Sequence, residues 1–247
     1  MSRLIAFGCS FTYGHGLVDC HIPPNHPGPV PSKVAWPQLI ADQLGLECIN
    51  LGIPGNSNKQ IWYQVSKFDF QKDDIVFIMW SYPERYTVLK DNEYSVIGIW
   101  QDSPESKAYY NFLYSEFDSE YMSKLYVSHA DYYFNDLGIK SYQFVSEPSY
   151  ENILTLNNKT IPSIPVYLND YEFRSVFPKA LDDKIDPGFG HPGEAAHLEF
   201  SRIVLNYLKV DHDIPKQNAI SNIEHIKREY KFYSTIRWIK KCIRSIK

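Results

Sequence analysis

Cysteine is scarce in this chain: four residues, Cys9, Cys20, Cys48 and Cys242, in 247. Their spacing fits neither a disulfide framework nor a zinc-binding pattern, so the fold must rest on a hydrophobic core. The cluster "DCHIPPNHPG", with His21 and His26 near Asp19 and Cys20, likewise matches no standard zinc spacing. No run approaches the roughly eighteen apolar residues that a membrane span needs. No charged, apolar, small-residue leader precedes the first apolar stretch, so the expected home is a reducing cytoplasm. Export by a specialised route or by lysis is the other possibility. There is no internal repeat and no low-complexity segment. Charge of one sign is also lacking: the formal net charge is −4, which argues against a nucleic-acid binder.

What is present suits one large domain with an appended segment. Hydrophobic residues make up 44% and charged residues 22%, enough to bury a sizeable core. Short apolar runs at Leu4–Phe7, Cys48–Leu51 and Ile75–Trp80 read as buried parallel strands, and Ile139–Val145 as a fourth. Between the first two, Trp36, Leu39, Ile40 and Leu44 share a helical face, with Gly45 as its C-cap. A second helical pattern begins at Asn58. Residues 81–104 read as loop, and Glu105–Leu137 as one long aromatic helix closed by Gly138. The stretch 147–181 has no clear period and reads as an irregular insertion. "HPGEAAHLEFSRIVLNYL" gives a last core helix with Pro192 in its first turn.

Strands alternating with helices predict a three-layer α/β/α sandwich with a mainly parallel, flavodoxin-like sheet of about five strands. The expected domain spans 1–212, and 213–247 is expected to be a basic amphipathic helical tail. Ile226, Tyr230, Tyr233, Ile236, Ile239 and Ile243 fall at helical spacing there, among many Lys and Arg. Such a tail would pack on its own domain, contact a second copy, or lie on an anionic membrane surface.

Three loops carry residues suited to chemistry. "FGCSFTYG" sets Ser10 just after a glycine bend, where a hydroxyl serves as a turn residue, an N-cap or a nucleophile. "NLGIPGNSNKQ" places Gly52 and Gly55 at a bend before a helix, where backbone N–H groups can face developing negative charge. "DPGFGHPGEAAH" holds Asp186 and His191 in a Gly/Pro-rich loop before the last helix. In open α/β sheets, loops at the carboxyl ends of strands build the site.

In order and spacing these stretches resemble the SGNH (GDSL-like) hydrolase family. The resemblance implies Ser10 as nucleophile, the Gly55 N–H as an oxyanion donor beside that of Ser10, and His191, followed by Pro, as base. Two features depart from the family. Its Asp stands three residues before the His, where this chain has Gly188; the nearest carboxylate is Asp186, with Asp182 and Asp183 further back. Its third block carries an Asn that completes the oxyanion hole, but this chain reads "IMWSYPERY". Asn58 or Asn56, or Ser81 at the strand end, stands as the substitute.

His15 reads as an exposed loop residue, His197 as a packing or surface histidine, and Glu84 with Arg85 as a surface ion pair. The resemblance implies a serine esterase needing no metal or cofactor, acting on a carboxylic ester such as an O-acetyl group on a glycan. A non-catalytic binding module on the same fold, or an acyltransferase to a sugar hydroxyl, is the alternative.

Overall fold

The computed structural model describes residues 2–17, 19–20, 28–90, 93–146, 155–156, 159–160 and 191–214. Among them the chain runs through β1 (Arg3–Phe7), α1 (Ser10–Tyr13), α2 (Trp36–Leu44), β2 (Glu47–Asn50), α3 (Asn58–Lys67) and β3 (Ile75–Trp80). A hairpin of β4 (Tyr86–Lys90) and β5 (Glu93–Ile97) follows. Next come α4 (Pro104–Ala108), a π-helical turn at Tyr109–Leu113, α5 (Glu116–Leu137) and β6 (Lys140–Val145). The two-residue strands β7 (Thr155–Leu156) and β8 (Lys159–Thr160) pair antiparallel, and α6 (Glu194–Tyr207) comes last.

Strands β2, β1, β3 and β6 lie side by side in that order, all parallel. The α/β class and the parallel sheet are as expected, with four of the anticipated strands among the described residues. Side chains along β1 alternate between faces: Leu4 and Ala6 join α2 and α6, while Ile5 and Phe7 join α3 and α5. β3 does the same, with Phe77 and Met79 on the first face and Val76, Ile78 and Trp80 on the second. Because both faces are covered, these strands read as unbroken apolar runs rather than alternating ones. Trp36 centres the first face, its ring 5.0 Å from Phe200 and 6.1 Å from Phe77. Phe134 anchors the second, 5.1 Å from Phe70.

Local chemistry sets the ends of the elements. Gly45 caps α2 in the left-handed region (φ 63), its N–H reaching the carbonyls of Ala41 and Asp42. Ser57 caps α3 by accepting from the Gln60 N–H. At the amino end of the sheet, Arg3 grips Asp74 with both arms of its guanidinium, at 2.8 and 2.6 Å. Burial pushes the Asp74 carboxyl up, but the Arg3 hydrogen bonds, the Gln71 N–H and the Arg3 charge together hold it below the ordinary carboxylate value.

Three expectations are corrected. Residues 81–104 contain the β4–β5 hairpin and are not plain loop. Only Thr87 of β4 is buried, so the strand shows almost no hydrophobic alternation to betray it. The helix expected over 105–137 is broken at Tyr114, which is extended, and Ser115 caps a new start by accepting from the Asp118 N–H. Pro192 lies before the helix, whose N-cap is Gly193. The insertion beyond β8, the Asp182–Asp186 loop, His21, His26, Cys242 and the tail after residue 214 fall outside the described residues.

Candidate active site

The chain leaves β1 for β2 on one side and later returns to β3 on the other, so the carboxyl end of β1 is the switch point of the sheet. There Gly8 and Cys9 turn the chain sharply into α1. A Cβ on Gly8 would lie 2.0 Å from Thr12 Oγ1 and 3.0 Å from the Met79 carbonyl, so only glycine fits. Cys9 is extended and Ser10 opens the helical turn. Ser10 is 3% exposed, and its carbonyl accepts from the Gly14 and His15 N–H groups.

The loop after β2 is bonded to this turn along its length. Leu51 and Ile53 donate their N–H groups to the carbonyls of Ala6 and Gly8. The Asn50 amide donates to the Thr12 carbonyl at 2.7 Å. A Cβ on Gly52 would meet the Tyr13 nitrogen at 2.6 Å, which fixes glycine there too. Gly55 turns the chain with φ 81, and the fully buried Asn56 donates to the Gly8 carbonyl at 3.2 Å and to Gln64 Oε1 at 2.8 Å. Ser10 and Gly55 therefore belong to two loops joined by hydrogen bonds.

His191 arrives from the far end of the sequence. Its ring stands edge-on to Phe11, 5.8 Å between centroids, and lies against His15 at 4.2 Å with an interplanar angle of 32°. The helix behind it is pinned to α2. His197 Nδ1 accepts the Trp36 N–H at 3.1 Å, and Ser201 Oγ reaches the Trp36 carbonyl at 3.4 Å. Complete burial drives the His197 pKa down to about 3, so the ring is neutral and carries its proton on Nε2. This is the packing histidine the sequence suggested. His15 differs from expectation: it is half-buried against His191 rather than an exposed loop residue.

Asn58 has another task than the one expected of it. Its Nδ2 donates to the Ser81 carbonyl at 3.1 Å and to Ser123 Oγ at 2.9 Å, and its Oδ1 accepts the Ser81 N–H at 2.6 Å. Both side-chain amide hydrogens are consumed, so the Asn58 side chain clamps the end of β3 and has no donor left for an oxyanion. Arg85 is also misread as a surface ion pair. Its guanidinium carbon lies over the rings of Tyr82 and Trp100, at 4.3 and 4.8 Å, and Nη1 donates to Ser81 Oγ and the Asn56 carbonyl. Trp100 in turn sits beside Gly55, 3.4 Å from where a Cβ would be. A Trp placed fifteen residues beyond Arg85 across a hairpin leaves no periodic signal in sequence.

Among the described residues no group of three His, Cys, Asp or Glu could hold a metal ion, and no helix is long and apolar enough to cross a membrane. Cys9, Cys20 and Cys48 are free thiols.

No protein-family model and no curated protein sequence matches the chain. In structure it is similar to a G-D-S-L family lipolytic protein from Veillonella parvula, with TM-score 0.46, 11% identity, and 85% of this chain and 99% of that one covered. It is similar to an acetylxylan esterase from Geobacillus stearothermophilus, solved as a catalytic mutant, with TM-score 0.48 and 16% identity over 87% of this chain and 97% of that one. A third is a carbohydrate esterase whose active site has divergent catalytic and non-catalytic binding functions: TM-score 0.48, 13% identity, 86% of this chain. The chain spans 66% of that protein's length, just under two thirds. These are likenesses of architecture.

Proposed function

We propose that the chain is a serine esterase of the SGNH type. One observation carries the reading: His191, about 180 residues from Ser10 in sequence, is seated against the Ser10 turn, to which the Gly55 loop is also bonded. In this reading His191 takes the Ser10 proton as Oγ attacks an ester carbonyl, while the Ser10 and Gly55 N–H groups receive the oxyanion. As the ester C–O bond breaks, His191 returns that proton to the departing alcohol. Water then attacks the acyl-Ser10, giving a proton to His191; the acyl C–Oγ bond breaks and His191 returns that proton to Ser10 Oγ, releasing the carboxylic acid and restoring both groups. Asp186 is the group proposed to orient His191. The substrate proposed is an O-acetyl ester on a glycan, in the cytoplasm, with no cofactor.

The test is acetate release from 4-nitrophenyl acetate and from acetylated oligosaccharide by the full chain. Ser10→Ala and His191→Ala should each lower kcat by at least about 10³-fold. Full activity in Ser10→Ala would refute the reading. The consumption of both Asn58 amide hydrogens favours one other reading, a binding module on the same fold. Its signature is retained binding of acetylated glycan with no turnover by the wild type.

A further inference from the structure

The family's third oxyanion donor, an Asn, has no counterpart in the segment after β3, and the described side chains near Gly55 narrow what can take its place. Asn56 spends both amide hydrogens on the Gly8 carbonyl and Gln64. Asn58 spends both on Ser81 and Ser123. Ser81 is fully buried, its hydroxyl accepts from Arg85, and its N–H is bound to Asn58. Arg85 is different. A guanidinium offers five N–H groups, and only Nη1 is engaged: the bonds to Ser81 Oγ at 2.9 Å and to the Asn56 carbonyl at 3.3 Å are its hydrogen bonds among the described residues. No carboxylate of the described residues pairs with it.

We infer that Arg85 is the third oxyanion donor, a positive charge standing where the family places a neutral amide. This rests on the esterase reading and adds a catalytic residue to it. The placement follows from what Arg85 touches. Its Nη1 bridges the residue after Gly55 and the end of β3, the two segments between which such a donor must stand. The guanidinium carbon lies over the rings of Tyr82 and Trp100, at 4.3 and 4.8 Å, and Tyr82 meets Phe11, the neighbour of Ser10, at 6.3 Å. Contact with aromatic faces favours a planar guanidinium. Among the described residues Nε and Nη2 have no hydrogen-bond partner, which is what a donor to transition-state charge requires. A fixed donor of this kind raises kcat rather than substrate affinity.

The experiment uses the full chain and neutral 4-nitrophenyl acetate. Arg85→Gln should lower kcat about 10²–10³-fold with KM changed by less than about threefold. Arg85→Lys should fall between the two, and millimolar guanidinium added to Arg85→Ala should restore part of kcat. Ser81→Ala, which removes one anchor of Nη1, should lose a smaller factor; it also keeps the inference open to test if Arg85→Gln does not fold. Four results would overturn it. An unchanged kcat in Arg85→Gln would show that Arg85 is not needed for turnover. A change in KM alone, and only for anionic esters, would make Arg85 a specificity residue. A loss that tracks a lowered unfolding midpoint, with no rescue by guanidinium, makes it a structural cross-link. Absence of turnover in the wild type would fell the esterase reading itself and this inference with it, whereas an active wild type with a fully active Arg85→Gln fells the inference alone.

Discussion

On the α3/α5 side of the sheet, Ile61, Val65, Val127 and Phe134 pack on Ile5, Phe7 and Val76 through apolar contact. On the α2/α6 side an aromatic cluster, Trp36, Phe77, Phe144 and Phe200, is joined by two directional bonds: the Trp36 N–H donates to His197, and Ser201 Oγ donates to the Trp36 carbonyl. Apolar contact is tolerant of small shifts, whereas a hydrogen bond fixes where a helix begins. On the α3/α5 side Asn58 does the same for the start of α3, just after the Gly55 loop, while the helix tied to Trp36 is the one that starts three residues after His191. The comparison assigns bulk stability to both faces, the Gly55 side of the proposed site to the start of α3 and the His191 side to α6.

The sharpest way to break that assignment is a matched pair of cavities. Trp36→Ala and Phe134→Ala should each cost about 3–5 kcal/mol in chemical unfolding. Per folded molecule, Phe134→Ala should keep its activity and Trp36→Ala should lose most of it; equal activities would dissolve the distinction. Next in size is Asn58→Ala, which strands the buried Ser81 N–H and carbonyl and should cost about 1–3 kcal/mol. Ser123→Ala, removing one of Asn58's partners while sparing the clamp on Ser81, should cost less, as read by the same unfolding curves.

The buried His197 gives the α2/α6 face a pH signature. Its folded pKa, about 3, lies below the ordinary value of 6.5, so the unfolded chain binds the proton first as pH falls. The associated stability is fully present above about 6.5 and is lost as pH drops towards 3, at about 1.4 kcal/mol per pH unit. Replacing His197 with Gln should flatten unfolding free energy between pH 6.5 and 5, and an unchanged slope would show the ring is not the group responsible. The smallest effect expected is at Gly55. Alanine there must adopt φ near 81 and should cost about 1 kcal/mol, with a fall in kcat if the turn relaxes.

Much of this was legible in sequence where one physical signal acted alone. β1 and β3 are buried on both faces, so their apolar runs stand out, and Gly45 and Gly138 end their helices in the left-handed conformation that glycine favours. The hairpin was hidden because β4 turns only Thr87 inward, and the break at Tyr114 because aromatic residues continue through it at helical density. The proposed site residues Ser10, Gly55 and His191 come from glycine bends and chain order, and the structure brings His191 and the Gly55 loop to the Ser10 turn. The contact of His15 with His191, the stacking of Arg85 on Tyr82 and Trp100 and the clamp formed by Asn58 depend on contacts between segments distant in sequence. No local pattern encodes those.

The central claim is that Ser10 is made nucleophilic by His191. The most direct measurement is labelling of the full chain by a fluorophosphonate, with the adduct located by mass spectrometry. The account predicts one adduct, on Ser10, formed by the wild type and by Phe134→Ala but not by His191→Ala. An adduct elsewhere, or equal labelling of Ser10 in His191→Ala, would contradict it.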